Sequence, residues 1–171
     1  MNHLNKSYIL KHKASILYHL PYKVRTFVLD EIDYEIEDGD CRHKTEMLKQ
    51  LFEEEGFKVR KIYTVFDWKD LPIPPKIIKI LKSGTKSVHH LLEVSLNGKW
   101  IKVDLTWNRE LKEKDFPVTN YWNGKEDTKM VTKGKISFYK TKNEAKKEKD
   151  INNNFKELHA FANALNNWIF P

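Results

Sequence analysis

Three side chains in this 171-residue chain could together carry out covalent chemistry: the thiol of Cys41, the imidazole of His89 and the carboxylate of Asp104. A cysteine attacks an acyl carbon as its thiolate, a histidine takes and later returns the proton, and an aspartate orients the ring. Cys41 is the only cysteine, so the chain can form no internal disulfide and no multi-cysteine zinc or iron–sulfur site. It follows Asp38-Gly39-Asp40, a helix-entry pattern, and precedes Thr45, Leu48 and Phe52 at helical spacing. Met47 and Leu51 widen that apolar stripe, and Gly56 closes it after the acidic 53–55 run. The thiol is therefore expected in the first turn of a helix. There the dipole favours a thiolate, and a backbone N–H, that of Cys41 included, is available to an oxyanion.

The histidine is selected by hairpin geometry. Residues 87–96 and 99–106 flank Asn97-Gly98, the preferred pair for a two-residue type I′ turn. That turn pairs Leu96 with Lys99, and hence Ser95 with Trp100, Glu93 with Lys102, Leu91 with Asp104 and His89 with Thr106. Side chains alternate along a strand, so the residues from Ser95 and Trp100 down to His89 and Thr106 share one face. The opposite face carries Val88, Leu92, Val94 and Leu96 against Ile101, Val103 and Leu105, and is expected to be core. His89 and Asp104 become diagonal neighbours about 7–8 Å apart along the backbone, a gap their side chains can bridge. His90 points the other way. Trp100 shares the His89 face and is the candidate wall of a substrate groove; Trp68, Trp107 and Trp122 fit either a groove or the core. The three reactive residues also fit a plainer arrangement, a small buried thiol beside a satisfied polar pair.

Around these segments the pattern implies one domain over 1–171, of α+β class. Residues 8–20 form an irregular amphipathic stretch, and 22–36 leave their type open. Residues 57–66 are rich in aromatic and β-branched types and read as a strand, and the prolines of 70–75 mark a loop. A short helix over 76–82 ends at Ser83-Gly84. Beyond residue 107 a loop with Pro117 and Gly124 leads to a possible strand at 134–139. Ile151, Phe155, Leu158, Ala162, Leu165 and Ile169 then recur at helical spacing, so 151–169 is expected to be a docked C-terminal helix.

Two stretches resemble motifs of a known family. G-D-C-R-H-K-T-E-M-L-K-Q-L-F-E-E-E-G-F-K-V-R at 39–60 is similar to the cysteine motif of transglutaminase-like proteins, which belong to the papain-like cysteine-enzyme superfamily. H-H-L-L-E-V-S-L-N-G-K-W-I-K-V-D-L-T-W at 89–107 resembles that family's histidine and aspartate motifs. The catalytic histidine of that pattern lies four residues before Glu-Val, which is His89, and the aspartate follows Lys-Trp-x-x-Val, which is Asp104. The resemblance covers about residues 36–107. It implies a papain-like core with the cysteine-bearing helix packed on an antiparallel sheet. The implied chemistry is acyl transfer from an amide or peptide bond of a protein or peptide substrate, through a thioester on Cys41. Hydrolysis is the expected outcome rather than cross-linking, since nothing marks an amine-acceptor site. Two positions depart from the pattern: Leu91 stands where an aromatic is common, and Leu105 where a proline is. No cofactor or metal is implied, and no compact acidic cluster suggests calcium.

Composition bounds the partners. The chain carries 31 Lys+Arg against 24 Asp+Glu, a net charge of +7. Five lysines fall in K-T-K-N-E-A-K-K-E-K at 140–149, with no arginine and no aromatic for bases to stack on. That run reads as a solvated helix face or linker, and argues against nucleic acid. A second reading of the chain is a catalytically silent module of the same fold whose basic surface takes an acidic partner. No apolar run approaches the ~20 residues of a membrane span. Lys6, Lys11, His12 and Lys13 interrupt any leader-like core, so a cytoplasmic protein is expected.

Overall fold

The computed structural model describes residues 3–25 and 37–170. Most of the 22–36 stretch, whose type the pattern leaves open, lies outside them. The described residues form an α+β structure. Four strands, β1 (Val59–Asp67), β2 (Lys86–Leu96), β3 (Lys99–Val103) and β4 (Ser137–Tyr139), make one antiparallel sheet in the order β3-β2-β1-β4. Five helices surround it: α1 (His3–Ser15), α2 (Cys41–Glu54), α3 (Pro75–Ile78), α4 (Lys142–Ala145) and α5 (Phe155–Ile169). Among the described residues no helix is long and apolar enough to cross a membrane.

The β2–β3 hairpin has the register that a two-residue Asn97-Gly98 turn dictates: Leu96 pairs with Lys99, Val94 with Ile101 and Leu92 with Val103. Both turn residues have positive φ, 53° and 84°, which asparagine and glycine tolerate best. Leu92, Val94, Ile101 and Val103 are buried against Leu48 and Phe52 of α2 and Leu10 and Leu17 of the N-terminal segment. Each such side chain stabilises the fold by about 1.5–3 kcal/mol through apolar burial. A second core gathers Phe66, Trp68, Trp107 and Phe116 with Phe161 and Leu165 of α5.

Several boundaries differ from the sequence pattern. β3 stops at Val103 rather than 106, because the Asp104 N–H donates to Thr128 Oγ1 (2.7 Å) instead of to a strand. The last helix starts at Phe155, not 151: Asn154 caps it, while Ile151 is drawn into a parallel bridge with Lys86. α1 begins earlier than expected and ends in a 3₁₀ turn over Ile16–Tyr18. The helix expected over 76–82 is a single turn, Pro75–Ile78.

Candidate active site

Cys41 is the first residue of α2. Asp40 caps this helix, accepting from Arg42 N–H at 2.9 Å, and His43 completes a capping box, its Nδ1 3.3 Å from the Asp40 nitrogen. Asp40 also takes the Arg42 guanidinium and the Arg25 N–H. Burial alone would push its carboxyl up, but hydrogen bonds from His43 and Arg42 and their charges hold it well below the usual carboxylate range. The thiol thus sits at a rigid, fully ionised cap. Its own N–H, like every first-turn amide, has no intrahelical acceptor.

α2 is tied to β2 where it matters. Thr45 Oγ1, one turn beyond Cys41, donates to the His90 carbonyl oxygen at 3.0 Å. The register pairs β3 with β2 only as far as Leu92, so among the described residues the stretch of β2 around His89 has no strand neighbour on that side. The start of α2 and the Asp104 turn flank that stretch.

His89 and Asp104 are nearly inaccessible, at 1% and 6% exposure, and His89 Nε2 lies 2.8 Å from Asp104 Oδ2. The second carboxylate oxygen accepts the Thr106 N–H (3.2 Å), and Thr128 Oγ1 donates to the Asp104 carbonyl oxygen (3.2 Å), so the carboxylate cannot swing. With Nε2 committed, Nδ1 is the ring nitrogen left for the thiol. Burial works against a charged ring, yet the charges of Asp104 and Cys41, with hydrogen bonding to both, raise His89 to about 10. His90 behaves oppositely. Its ring packs edge-on to Tyr63 at 4.9 Å, and burial, with the charges of Lys142 and His89, lowers it to about 3. A neutral His90 cannot serve as the charged partner.

A cavity of about 260 Å³ opens over Cys41 and His89. Trp68, Phe66 and Phe161 give it an apolar wall, and Tyr22 lines it as well. The Tyr22 ring meets Trp107 edge-on at 4.4 Å, and its N–H donates to Asn108 Oδ1 (2.9 Å). Burial, reinforced by the charges of Cys41 and Asp40, pushes the Tyr22 phenol well above its ordinary value, so it is a hydrogen-bond donor at any physiological pH.

Trp100 is not brought to this cavity. It faces Ser95, six residues along β2 from His89, and its ring lies under the Arg60 guanidinium at 4.1 Å. Sharing a face is not proximity: six strand residues span about 20 Å. Trp68 is the tryptophan at the cavity, while Trp107 and Trp122 are core. The pattern also missed Lys142 and Lys146 as cavity residues: both are exposed, as the solvated reading of 140–149 implies, and both border the cavity. The signal that places them is tertiary. Thr64 of β1 pairs with His89 on one side and Phe138 of β4 on the other, and α4 begins four residues later. No family model matches the chain, and neither does any curated protein or any solved structure.

Proposed function

We propose that this chain is a thiol enzyme with a papain-like, transglutaminase-type core that cleaves amide or peptide bonds through a thioester on Cys41. The observation that carries the reading is the convergence on one cavity of a helix-capped thiol and a buried imidazole hydrogen-bonded to a fixed carboxylate. The Cys41 sulfur adds to the carbonyl carbon. The oxyanion that forms takes the Cys41 N–H and the Tyr22 hydroxyl as donors. His89, held protonated by Asp104, delivers its proton to the leaving nitrogen, the C–N bond breaks, and the amine departs. Water then adds to the thioester, His89 accepts its proton, and the carboxylic acid leaves as the thiolate reforms. Hydrolysis is preferred over cross-linking for an electrostatic reason: Arg42, Lys142 and Lys146 around the cavity repel a protonated lysine acceptor but not water.

The test is the second-order rate of Cys41 alkylation by iodoacetamide at pH 7, in wild type, His89→Ala and Cys41→Ala. Wild type is expected to react at least about tenfold faster than His89→Ala, and Cys41→Ala not at all, since Cys41 is the only thiol. Equal rates in wild type and His89→Ala would leave a silent module of this fold as the better reading.

A further inference from the structure

The lysine-rich 140–149 segment is the part of the chain that the proposed chemistry leaves unused, and the fold brings it to the cavity. α4 is a single helical turn with its own capping box: Thr141 Oγ1 accepts the Glu144 N–H (3.2 Å), and Glu144 Oε2 accepts the Thr141 N–H (3.1 Å). Ala145 is fully buried and pins the turn, so Lys142 and Lys146, one turn apart, project together.

Charge at the cavity is one-sided. Among the described residues, four lysine and arginine side chains line it, Arg25, Arg42, Lys142 and Lys146, besides the charged His89, against a single carboxylate, Asp40. Asp40 is committed to Arg42, His43 and the start of α2, and Arg25 to Asp38 (2.9 Å). Among the described residues no ion pair or hydrogen bond is made by the Lys142 or Lys146 ammonium, while the Lys146 N–H donates to the Lys142 carbonyl oxygen within α4 (3.0 Å). Desolvation lowers Lys142, and the charges of Lys146 and Arg42 lower it further. A protein normally offsets crowded cations with interspersed acids. Among the described residues the acids nearest in sequence are turned to other uses: Glu144 caps α4, and Glu148 takes the Tyr139 hydroxyl. The Cys41 charge acts favourably on Lys142, which places the ammonium within electrostatic reach of the reacting sulfur.

From this juxtaposition we infer that Lys142 and Lys146 form an anion-selecting rim, so that the site takes acyl donors bearing a carboxylate beside an apolar group. In a peptide, that is an acidic residue next to an apolar one. The apolar group matches the Trp68, Phe66 and Phe161 wall, and the carboxylate supplies a counter-charge to Lys142 and Lys146. This inference rests on the thiol-enzyme reading for its substrate, but the rim itself can be tested without turnover.

Two alkylating reagents of similar size differ only in charge: iodoacetate is an anion and iodoacetamide is neutral. Their rate ratio at Cys41 reports selection by charge, while the iodoacetamide rate alone reports activation of the thiol. The ratio should be measured at 20 and 500 mM salt in wild type, Lys142→Gln/Lys146→Gln and Lys142→Glu/Lys146→Glu, with the urea-unfolded chain as reference. In folded wild type at low salt the ratio is expected to exceed that of the unfolded chain roughly tenfold, the low end of electrostatic steering. It should fall towards the reference at high salt and in the glutamine variant, and below it in the glutamate variant. A folded ratio equal to the unfolded one would overturn the inference. So would a raised ratio unmoved by either double substitution, which would assign the selectivity to Arg25 and Arg42. A slow iodoacetamide reaction insensitive to His89→Ala would instead sink the thiol-enzyme reading while leaving the rim to be judged by the ratio. The two failures are therefore separable.

Discussion

His89 is a base forced to stay charged inside the protein. Its ring is 1% exposed, and desolvation is outweighed by the Asp104 carboxylate 2.8 Å away, foremost, together with Cys41. Asp104→Asn keeps the shape and removes that charge. The His89 titration, followed by NMR and assigned against His89→Gln, is then expected to fall from about 10 by about two pH units or more, since an adjacent opposite charge is worth 1–3 units. A variant that still titrates near 10 would show that Asp104 does not hold the proton. At this scale the sequence carried much. Strand parity separated His89 from His90, because a side-chain period of two leaves no third choice once Asn97-Gly98 fixes the register. Parity gives the face but not the distance along it, which is why Trp100 looked like a neighbour and Trp68, which reaches the cavity by a turn after β1, did not.

The start of α2 holds both its cap, Asp40, and the thiol of Cys41. Asp40 satisfies first-turn amides and pairs with Arg42 and His43, so the cap that holds the helix also holds the Cys41 backbone. Asp40→Ala is expected to cost about 1–2 kcal/mol of cap, lowering Tm by roughly 2–4 °C for each kcal/mol in a chain of this size. Asp40→Asn keeps a capping oxygen and should lose less. Thermal melts of the three proteins check this, and an unchanged Tm in Asp40→Ala would remove the cap from the account. Elements of this kind were legible because their signals are local: a cap before an apolar stripe, a glycine after it, a two-residue turn between alternating runs. The short pieces were legible only in part: the possible strand at 134–139 contains β4, while the lysine run offers no apolar stripe to mark α4. β4 has three residues and owes its conformation to Thr64, distant in sequence; α4 has four and is held by its own Thr141–Glu144 capping box and by the buried Ala145. The lysine run is exposed as its composition implies, apart from Ala145 and the half-buried Glu148, and only the fold reveals that it borders the cavity as well.

The molecule as a whole sets two buried bases against each other. His89 is raised to about 10, while Lys44, one turn beyond Cys41, is lowered to about 7 by burial that the charges of Asp104 and Glu110 only partly offset. Lys44 Nζ donates to the Leu20 carbonyl oxygen at 2.5 Å, which ties α2 to the N-terminal segment. The two titrations have opposite signs in stability. An unfolded histidine loses its proton near 6.5, so the His89 contribution is complete below that pH and disappears as pH rises through 10. An unfolded lysine keeps its proton to about 10.4 while folded Lys44 sheds its own near 7. Its penalty is therefore full below pH 7 and relieved as pH rises towards 10. Between pH 7 and 10 the slopes oppose, each worth at most about 1.4 kcal/mol per pH unit for one proton. Wild-type stability, read from urea unfolding at four pH values in this window, should change little. Lys44→Met, which keeps the volume, is expected to leave the falling His89 contribution exposed, so its stability declines across the window. His89→Gln should show the reverse, a stability that climbs with pH. Parallel curves for all three proteins would mean that neither base is perturbed as its surroundings require, and would remove the charged, buried His89 on which the proposed proton transfer depends.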